Sequence, residues 1–240
     1  MNMKVVLFGA SGMVGQGVLR ECLRDERVRE VVAVVRRPLT PVDAPGITDG
    51  AEKLTEVVHD DFTDFSALHD HFEHAAACFF CLGVSSVGQN AETYRRITYD
   101  FTMAAARELA FASPGLTFTY VSGEGTDATE RGRVAWARVK GATENALLAQ
   151  EGLVTYLFRP GWIQPMHGER AKTGWYRAAY AAFRPAYPLL SRLAPRHVTT
   201  TENLGRAMLA VVDLHGTGPR VLASPEINEL AAGAEPEAHG

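Results

Sequence analysis

The sequence is poor in several features that would mark a specialised class. It has three cysteines, Cys22, Cys78 and Cys81, in 240 residues. That small, odd number excludes a disulfide framework and suits a reducing compartment, here expected to be the cytoplasm. Cys78 and Cys81 have the C-x-x-C spacing, but they lie inside "AAACFFCLG", an apolar run that reads as a core strand, so no redox pair is expected. No basic run occurs and the net charge is -4, which argues against nucleic acid as a partner. No apolar run is long enough for a membrane span, and "KVVLFGASG" is too short for the core of a signal peptide, so no membrane partner is expected either. No His/Asp/Glu cluster has metal-ligand spacing, and no metal is expected. Repeats and low-complexity blocks are also missing.

What is present is an ordinary globular composition, 46% hydrophobic and 22% charged, in a chain long enough for one packed domain or one domain plus a small lobe. Lys4–Phe8 reads as a buried strand, and Gly12–Arg24 as a helix with Val14, Val18, Leu19 and Cys22 on its apolar side. Strands at Val31–Val35, Val57–Val58, Ala76–Leu82, Leu116–Val121 and Val154–Phe158 follow. Between them the pattern predicts a short helix over "DFSALHDHF", a long one over Glu92–Ala112 and another over 133–150. "PLTPVDAPGITDG" is a proline- and glycine-rich loop. The strands are continuous apolar runs, as burial on both faces requires. Their alternation with helices predicts an α/β fold, a doubly wound parallel sheet of the Rossmann kind. Residues 1–160 are expected to form this core, 161–230 a small C-terminal helical substrate or lid segment packed on the core within a single domain, and 231–240, "AAGAEPEAHG", a disordered tail.

In such sheets ligands bind beyond the carboxyl ends of the strands. "VVLFGASGMVGQG" puts Gly9, Gly12 and Gly15 there, between the first strand and the first helix, with Ser11, Met13 and Val14 on the same turn. Gly9 permits the tight turn, Gly12 lets the backbone approach a pyrophosphate, and Gly15 allows close helix–strand packing. The helix N-terminus then faces phosphate charge. The second strand ends "VVAVVRRP", where Arg36 and Arg37 stand in place of the acidic residue that would meet a free ribose 2′-hydroxyl. Guanidinium groups suit a 2′-phosphate, so NADP(H) is expected ahead of NAD. After the third strand, Asp61 and Phe62 either meet adenine or serve as a helix cap and a core aromatic. After the fourth, Leu82 and Gly83 would lie against the cofactor.

Together these stretches resemble the short-chain dehydrogenase/reductase superfamily, in its atypical branch of the Tat-interacting-protein oxidoreductase type, with NmrA-like proteins further off. The resemblance covers about residues 3–215 and is carried by "GASGMVG", "VVRRP", "HDDF", "FFCLGVSS", "YVSGEGTD", "WARVKGATENAL" and "LFRPGWI". The family carries Tyr-x-x-x-Lys on the helix after the fifth strand. Its lysine holds the nicotinamide ribose and its tyrosine exchanges a proton with substrate. Lys140 matches that lysine, Ser122 matches the active-site serine, and Pro160, Gly161 and Ile163 match the segment along the nicotinamide. Trp136 stands where the tyrosine belongs. Indole N–H is a donor but not a practical acid. The resemblance therefore implies a catalytic set of Ser122, Lys140 and Trp136 in which Trp136 is a wall, with Ser122, Thr126 or a water on Lys140 relaying protons. Without the resemblance, Lys140 is a lysine snorkelling past a packed Trp136.

Two functions from different classes follow. One is reduction by NADPH of a small acceptor of the quinone, flavin or carbonyl class, by a monomer or homodimer. The other is a non-catalytic NADP(H)-binding regulator that senses redox ratio and engages a protein. A sugar-nucleotide epimerase is disfavoured, because it would need the tyrosine and a larger C-terminal domain. In the C-terminal part Trp175, Tyr176, Tyr180 and Phe183 either pack a helix or line a pocket. Arg177, Arg184 and Arg192 are either solvated or meet an anion. His197 is either structural or faces the pocket.

Overall fold

The computed structural model describes residues 2–40, 50–169 and 195–234. Among these, seven strands form one parallel sheet in the order β3-β2-β1-β4-β5-β6-β9. They are β1 (Met3–Phe8), β2 (Val28–Val35), β3 (Leu54–Val58), β4 (Ala77–Phe80), β5 (Leu116–Val121), β6 (Leu153–Arg159) and β9 (Val221–Ala223). The strand order reverses between β1 and β4, which is the crevice where a doubly wound sheet binds ligands.

Alternate strand residues feed two cores. On one face Val5, Leu7, Val31, Ala33, Phe79 and Phe158 pack with Val18, Leu19 and Cys22 of α1 (Met13–Arg24). Leu204 and Met208 of α6 (Thr201–Asp213) and Ile227 of α7 (Ser224–Gly233) complete that face. On the other face Val6, Phe8, Val34, Cys78, Phe80 and Phe118 pack with Phe72 of α2 (His69–Phe72). Met103 and Leu109 of α4 (Phe101–Ala112) and Leu147 of α5 (Ala135–Ala149) close it. The apolar runs are thus two interleaved half-patterns, each buried against its own helices.

The structure departs from the sequence expectations at three places. The long helix over Glu92–Ala112 is two helices, α3 (Ala91–Arg95) and α4, joined by a π turn at Arg96–Asp100. The Thr98 carbonyl in that turn accepts hydroxyls from Thr102 at 2.7 Å and, across the helix pair, from Thr143 of α5 at 3.4 Å. Secondly, the C-terminal segment, expected as a helical lid packed on the core, also contributes strands, β9 to the main sheet beside β6. β7 (Trp162–Gln164) pairs with β8 (Val198–Thr200), and α6 packs on α1, closely enough that a Cβ at Gly17 would lie 2.6 Å from the Cβ of Thr201. Thirdly, the helix α7 runs to Gly233 with Ala231 buried, so the expected tail at 231–240 begins inside an ordered helix. Short β9 was missed because three residues carry no period. Trp175, Tyr176, Arg177, Tyr180, Phe183, Arg184 and Arg192 lie outside the described residues. No described helix is long and apolar enough to cross a membrane.

Candidate cofactor cleft and active site

Parallel strands bring their carboxyl ends to one edge, so the turns after β1, β2, β4, β5 and β6 are neighbours there. Gly9 has φ 83°, a left-handed backbone natural to glycine, and a Cβ on it would lie 2.6 Å from the Leu82 amide nitrogen. A Cβ on Gly15 would lie 2.1 Å from the Gly9 carbonyl oxygen. Both glycines are therefore demanded by the fold. Gly12 is different. Its φ of -87° and ψ of 160° suit any residue, and the nearest atom to an added Cβ is the Gly9 oxygen at 3.3 Å. A Cβ there would project into space the protein itself hardly uses. α1 starts at that point with no side-chain cap and no acidic residue in its first turn, so its positive end is uncompensated. Gly83, on the neighbouring turn, is exposed with no atom within 4 Å of an added Cβ. These residues fit a diphosphate. Ser11, Met13 and Val14 are half-buried on the same turn, and the Ser11 carbonyl accepts from Gln16 Nε2 at 3.1 Å.

Arg36 and Arg37 are exposed directly beyond β2, and Arg37 Nη1 donates to the Pro38 carbonyl at 3.2 Å. Asp61 is exposed and caps its own loop, accepting from the Thr63 amide at 2.9 Å and hydroxyl at 2.5 Å. Those bonds hold its carboxyl below the usual carboxylate range. Phe62 corrects the expectation of an adenine platform. Its ring is buried, edge-on to Phe8 and Phe65, because the core beside β1 needs an aromatic there. Leu82 is half-buried, with its backbone against Gly9.

Beyond β5 and β6 lies an open cleft of about 470 Å³ lined by Ser122, Glu124, Trp136, Pro160, Gly161 and Ile163, with Val121, Gly123 and Gly125. Trp136 is at the open end of α5, and its Cη2 would lie 3.4 Å from a Cβ on Gly125. One turn on, the Lys140 ammonium donates to the Ser122 carbonyl. Burial pushes the Lys140 amine down to about 8, against the pull of the Glu144 carboxylate. Farther along the same stripe Thr143 and Leu147 are fully buried. The helix thus runs from cleft to core along one face.

The Ser122 hydroxyl is turned to the protein. It donates to Glu144 Oε1 at 2.5 Å, with the Phe158 carbonyl oxygen 3.2 Å away. Glu144, 1% exposed, also accepts from Arg159 Nε at 3.0 Å and from Arg159 Nη2. This clamp joins α5, β5 and β6 beneath Lys140. Sequence reasoning missed it. Glu144 does stand one turn after Lys140, and Arg159 precedes the Pro160 turn, but only the fold makes them partners. Thr126 bonds back to the Gly123 carbonyl at 2.8 Å. His197 reaches the cleft's edge, with Nδ1 2.7 Å from Glu124 Oε1. Cys78 and Cys81 are free thiols that burial pushes up, so neither is a thiolate at neutral pH. Among the described residues no group of three histidine, cysteine or carboxylate side chains could hold a metal ion.

No family model matches the chain. Protein HTATIP2 of Rattus norvegicus is 28% identical over 163 residues, 67% of this chain and 62% of that protein. The match thus spans about 62% of the rat relative's length. The mitochondrial protein FMP52 of Debaryomyces hansenii is 26% identical over 174 residues, 71% of this chain and 70% of that protein. Among solved structures, an oxidoreductase of the short-chain dehydrogenase/reductase family from Burkholderia thailandensis superposes with TM-score 0.67 at 16% identity, covering 93% of this chain and 91% of that one. MoeE5, in complex with UDP-glucuronic acid and NAD, superposes with TM-score 0.61 at 18% identity over 92% of this chain and 75% of that one. In sequence the chain is similar to HTATIP2 and FMP52, and its doubly wound parallel sheet is the Rossmann-type fold of these solved structures.

Proposed function

We propose that the protein is an NADP(H)-binding oxidoreductase that reduces a small conjugated or carbonyl acceptor. The observation that carries this reading is that Trp136 lines a cleft on the same sheet edge as the glycine turn, while Lys140, one turn on, bonds the carbonyl of the lining residue Ser122. When bound, the dinucleotide would supply the hydride. Gly12 and the start of α1 would hold its diphosphate, and Arg36 and Arg37 its 2′-phosphate. Lys140 would hold ribose hydroxyls from its seat on Ser122, and Trp136 would wall the acceptor's side. Buried free cysteines suit the reducing cytoplasm as the compartment.

Trp136 selects among acceptors. A ketone reduced by hydride becomes an alkoxide and needs a proton donor. A quinone anion spreads its charge like a phenolate, with pKa on the order of 10, and needs less help. Trp136→Tyr places a phenol one turn from Lys140 at small loss of volume. It is expected to raise ketone reduction with cofactor affinity little changed. A folded Trp136→Tyr protein that binds NADPH and reduces ketones no faster than the unaltered chain counts against the assignment.

Cofactor choice is tested at β2. The double variant Arg36→Ala, Arg37→Ala is expected to lose most of a preference for NADPH over NADH, because the 2′-phosphate loses its charged hydrogen bonds. Equal affinity of the unaltered protein for both cofactors would refute this assignment.

A second reading, a non-catalytic NADP(H)-binding regulator, is favoured by the commitment of the Ser122 hydroxyl to Glu144. Discrimination between NADP⁺ and NADPH in binding, without NADPH oxidation across a quinone and carbonyl panel, would establish it instead.

A further inference from the structure

Glu124 is the one ionisable side chain among the described residues that line the cleft beside Trp136. Its backbone sets its place. Gly123 and Gly125, on either side, have φ of 137° and 84°, which side-chain-bearing residues rarely adopt. The Glu124 amide donates to the Pro160 carbonyl at 2.9 Å. Two lining glycines then locate carboxylate and indole. A Cβ on Gly161 would lie 2.6 Å from Glu124 Oε2, and one on Gly125 would lie 3.4 Å from Trp136 Cη2. Both groups therefore border the same space. At about 470 Å³ that space is small for a ligand site, so an occupant seated against Trp136 lies close to the carboxylate.

Among the described lining residues no cation balances that charge. The Lys140 ammonium is bonded to the Ser122 carbonyl, and the Arg159 guanidinium is held by the buried Glu144. His197 Nδ1 meets Glu124 Oε1 at 2.7 Å, while Oε2 accepts no hydrogen bond from the described residues. Beside a neutral imidazole the carboxylate keeps its full charge. The Glu124 side chain is 53% exposed and that of His197 61%, so their contact adds little to stability and the fold alone does not call for a carboxylate here. An anionic occupant would meet a like charge with no counter-ion beside it. A cationic one would be drawn by the carboxylate and by the indole.

We infer that Glu124 is the specificity residue of this cleft and sets the charge of the acceptor: an uncharged or cationic planar carbonyl compound or quinone is taken, and one bearing a carboxylate or sulfonate is turned away. This rests on the reductase reading. Glu124 has no part in moving the hydride or the proton. It acts by discrimination, because a wrong partner is rejected through an unpaired like charge as effectively as a right one is chosen by contact.

The test uses the full chain with Glu124→Gln, which removes the charge and keeps the shape, and Glu124→Asp, which keeps the charge. Each is assayed with NADPH and probes of graded charge. The aldehydes are 4-formylbenzoate, its neutral methyl ester and 4-(trimethylammonio)benzaldehyde; the quinones are menadione and 1,2-naphthoquinone-4-sulfonate. In Glu124→Gln, kcat/KM for each anionic probe, divided by that of its neutral partner, is expected to rise roughly tenfold, the worth of one screened charge pair. The same ratio for the cationic aldehyde should fall. Glu124→Asp should keep the native order, and NADPH affinity and the neutral probes should hold in both variants, which a general loosening of the cleft would not allow. Reduction of menadione or the ester with ratios indifferent to Glu124→Gln overturns the inference and leaves the reductase reading standing. Binding of NADPH with reduction of no probe overturns both.

Discussion

Gly12→Val is expected to abolish measurable NADPH binding while the protein stays folded. The native backbone at Gly12 suits valine, and the closest protein atom to the new Cβ is 3.3 Å away. The side chain would instead occupy the diphosphate's place against the first turn of α1. A loss exceeding ~100-fold in affinity, about 3 kcal/mol, is expected. Gly15→Ala is the control that separates site from fold. Its Cβ would fall 2.1 Å from the Gly9 carbonyl oxygen, so the turn or α1 must move. Overpacking of this kind costs about 1–3 kcal/mol. Thermal unfolding beside a fluorescence titration checks both: an unchanged melting temperature with lost binding for Gly12→Val, and a lowered melting temperature for Gly15→Ala. A folded Gly12→Val protein that titrates NADPH like the unaltered chain would remove the glycine turn from the site.

Lys140→Met is expected to make the protein more stable and a poorer binder of NADPH. Burial holds the amine near 8, whereas its ordinary value is 10.5. Between those values the unfolded chain keeps a proton that the folded protein has lost, so stability rises with pH across that window. Below pH 8 the folded protein carries the whole cost of a buried ammonium, up to about 3 kcal/mol. Methionine keeps the stem and removes the charge, at the loss of the hydrogen bond to the Ser122 carbonyl. A net gain of about 1–2 kcal/mol at pH 7 is expected, shrinking as pH approaches 10.5. NADPH affinity should fall by about ten- to a hundredfold, the worth of one charge-assisted bond. Denaturant unfolding at pH 7 and 10, with a cofactor titration, reads both effects. If Lys140 plays no part in holding the cofactor, NADPH affinity should not move.

Periodicity and turn chemistry made much of this molecule legible in the chain itself. The apolar runs at β1, β2, β4, β5 and β6 announced a sheet buried on both faces, since the strand period and the flanking glycines are local properties. The glycine turn at Gly9, Gly12 and Gly15 was readable for the same reason: the positive φ of Gly9 and the close approach of Gly15 to Gly9 act within seven residues, although the contact of Gly9 with Leu82 does not. The stripe from Trp136 to Leu147 followed from helical spacing alone. Tertiary structure decided what those residues face. It put Trp136 at a cleft, Lys140 against the Ser122 carbonyl beside it, and Thr143 and Leu147 in the core, along one stripe. It turned Phe62 inward, because the aromatic cluster around Phe8 offered burial that a strand-end position does not reveal. It committed Ser122 to Glu144, and drew the Glu144–Arg159 and Glu124–His197 pairs from segments 15 and 73 residues apart. Local sequence sets backbone preference and apolar period. Which carboxylate meets which cation depends on the order of strands in the sheet, and no local period encodes that order.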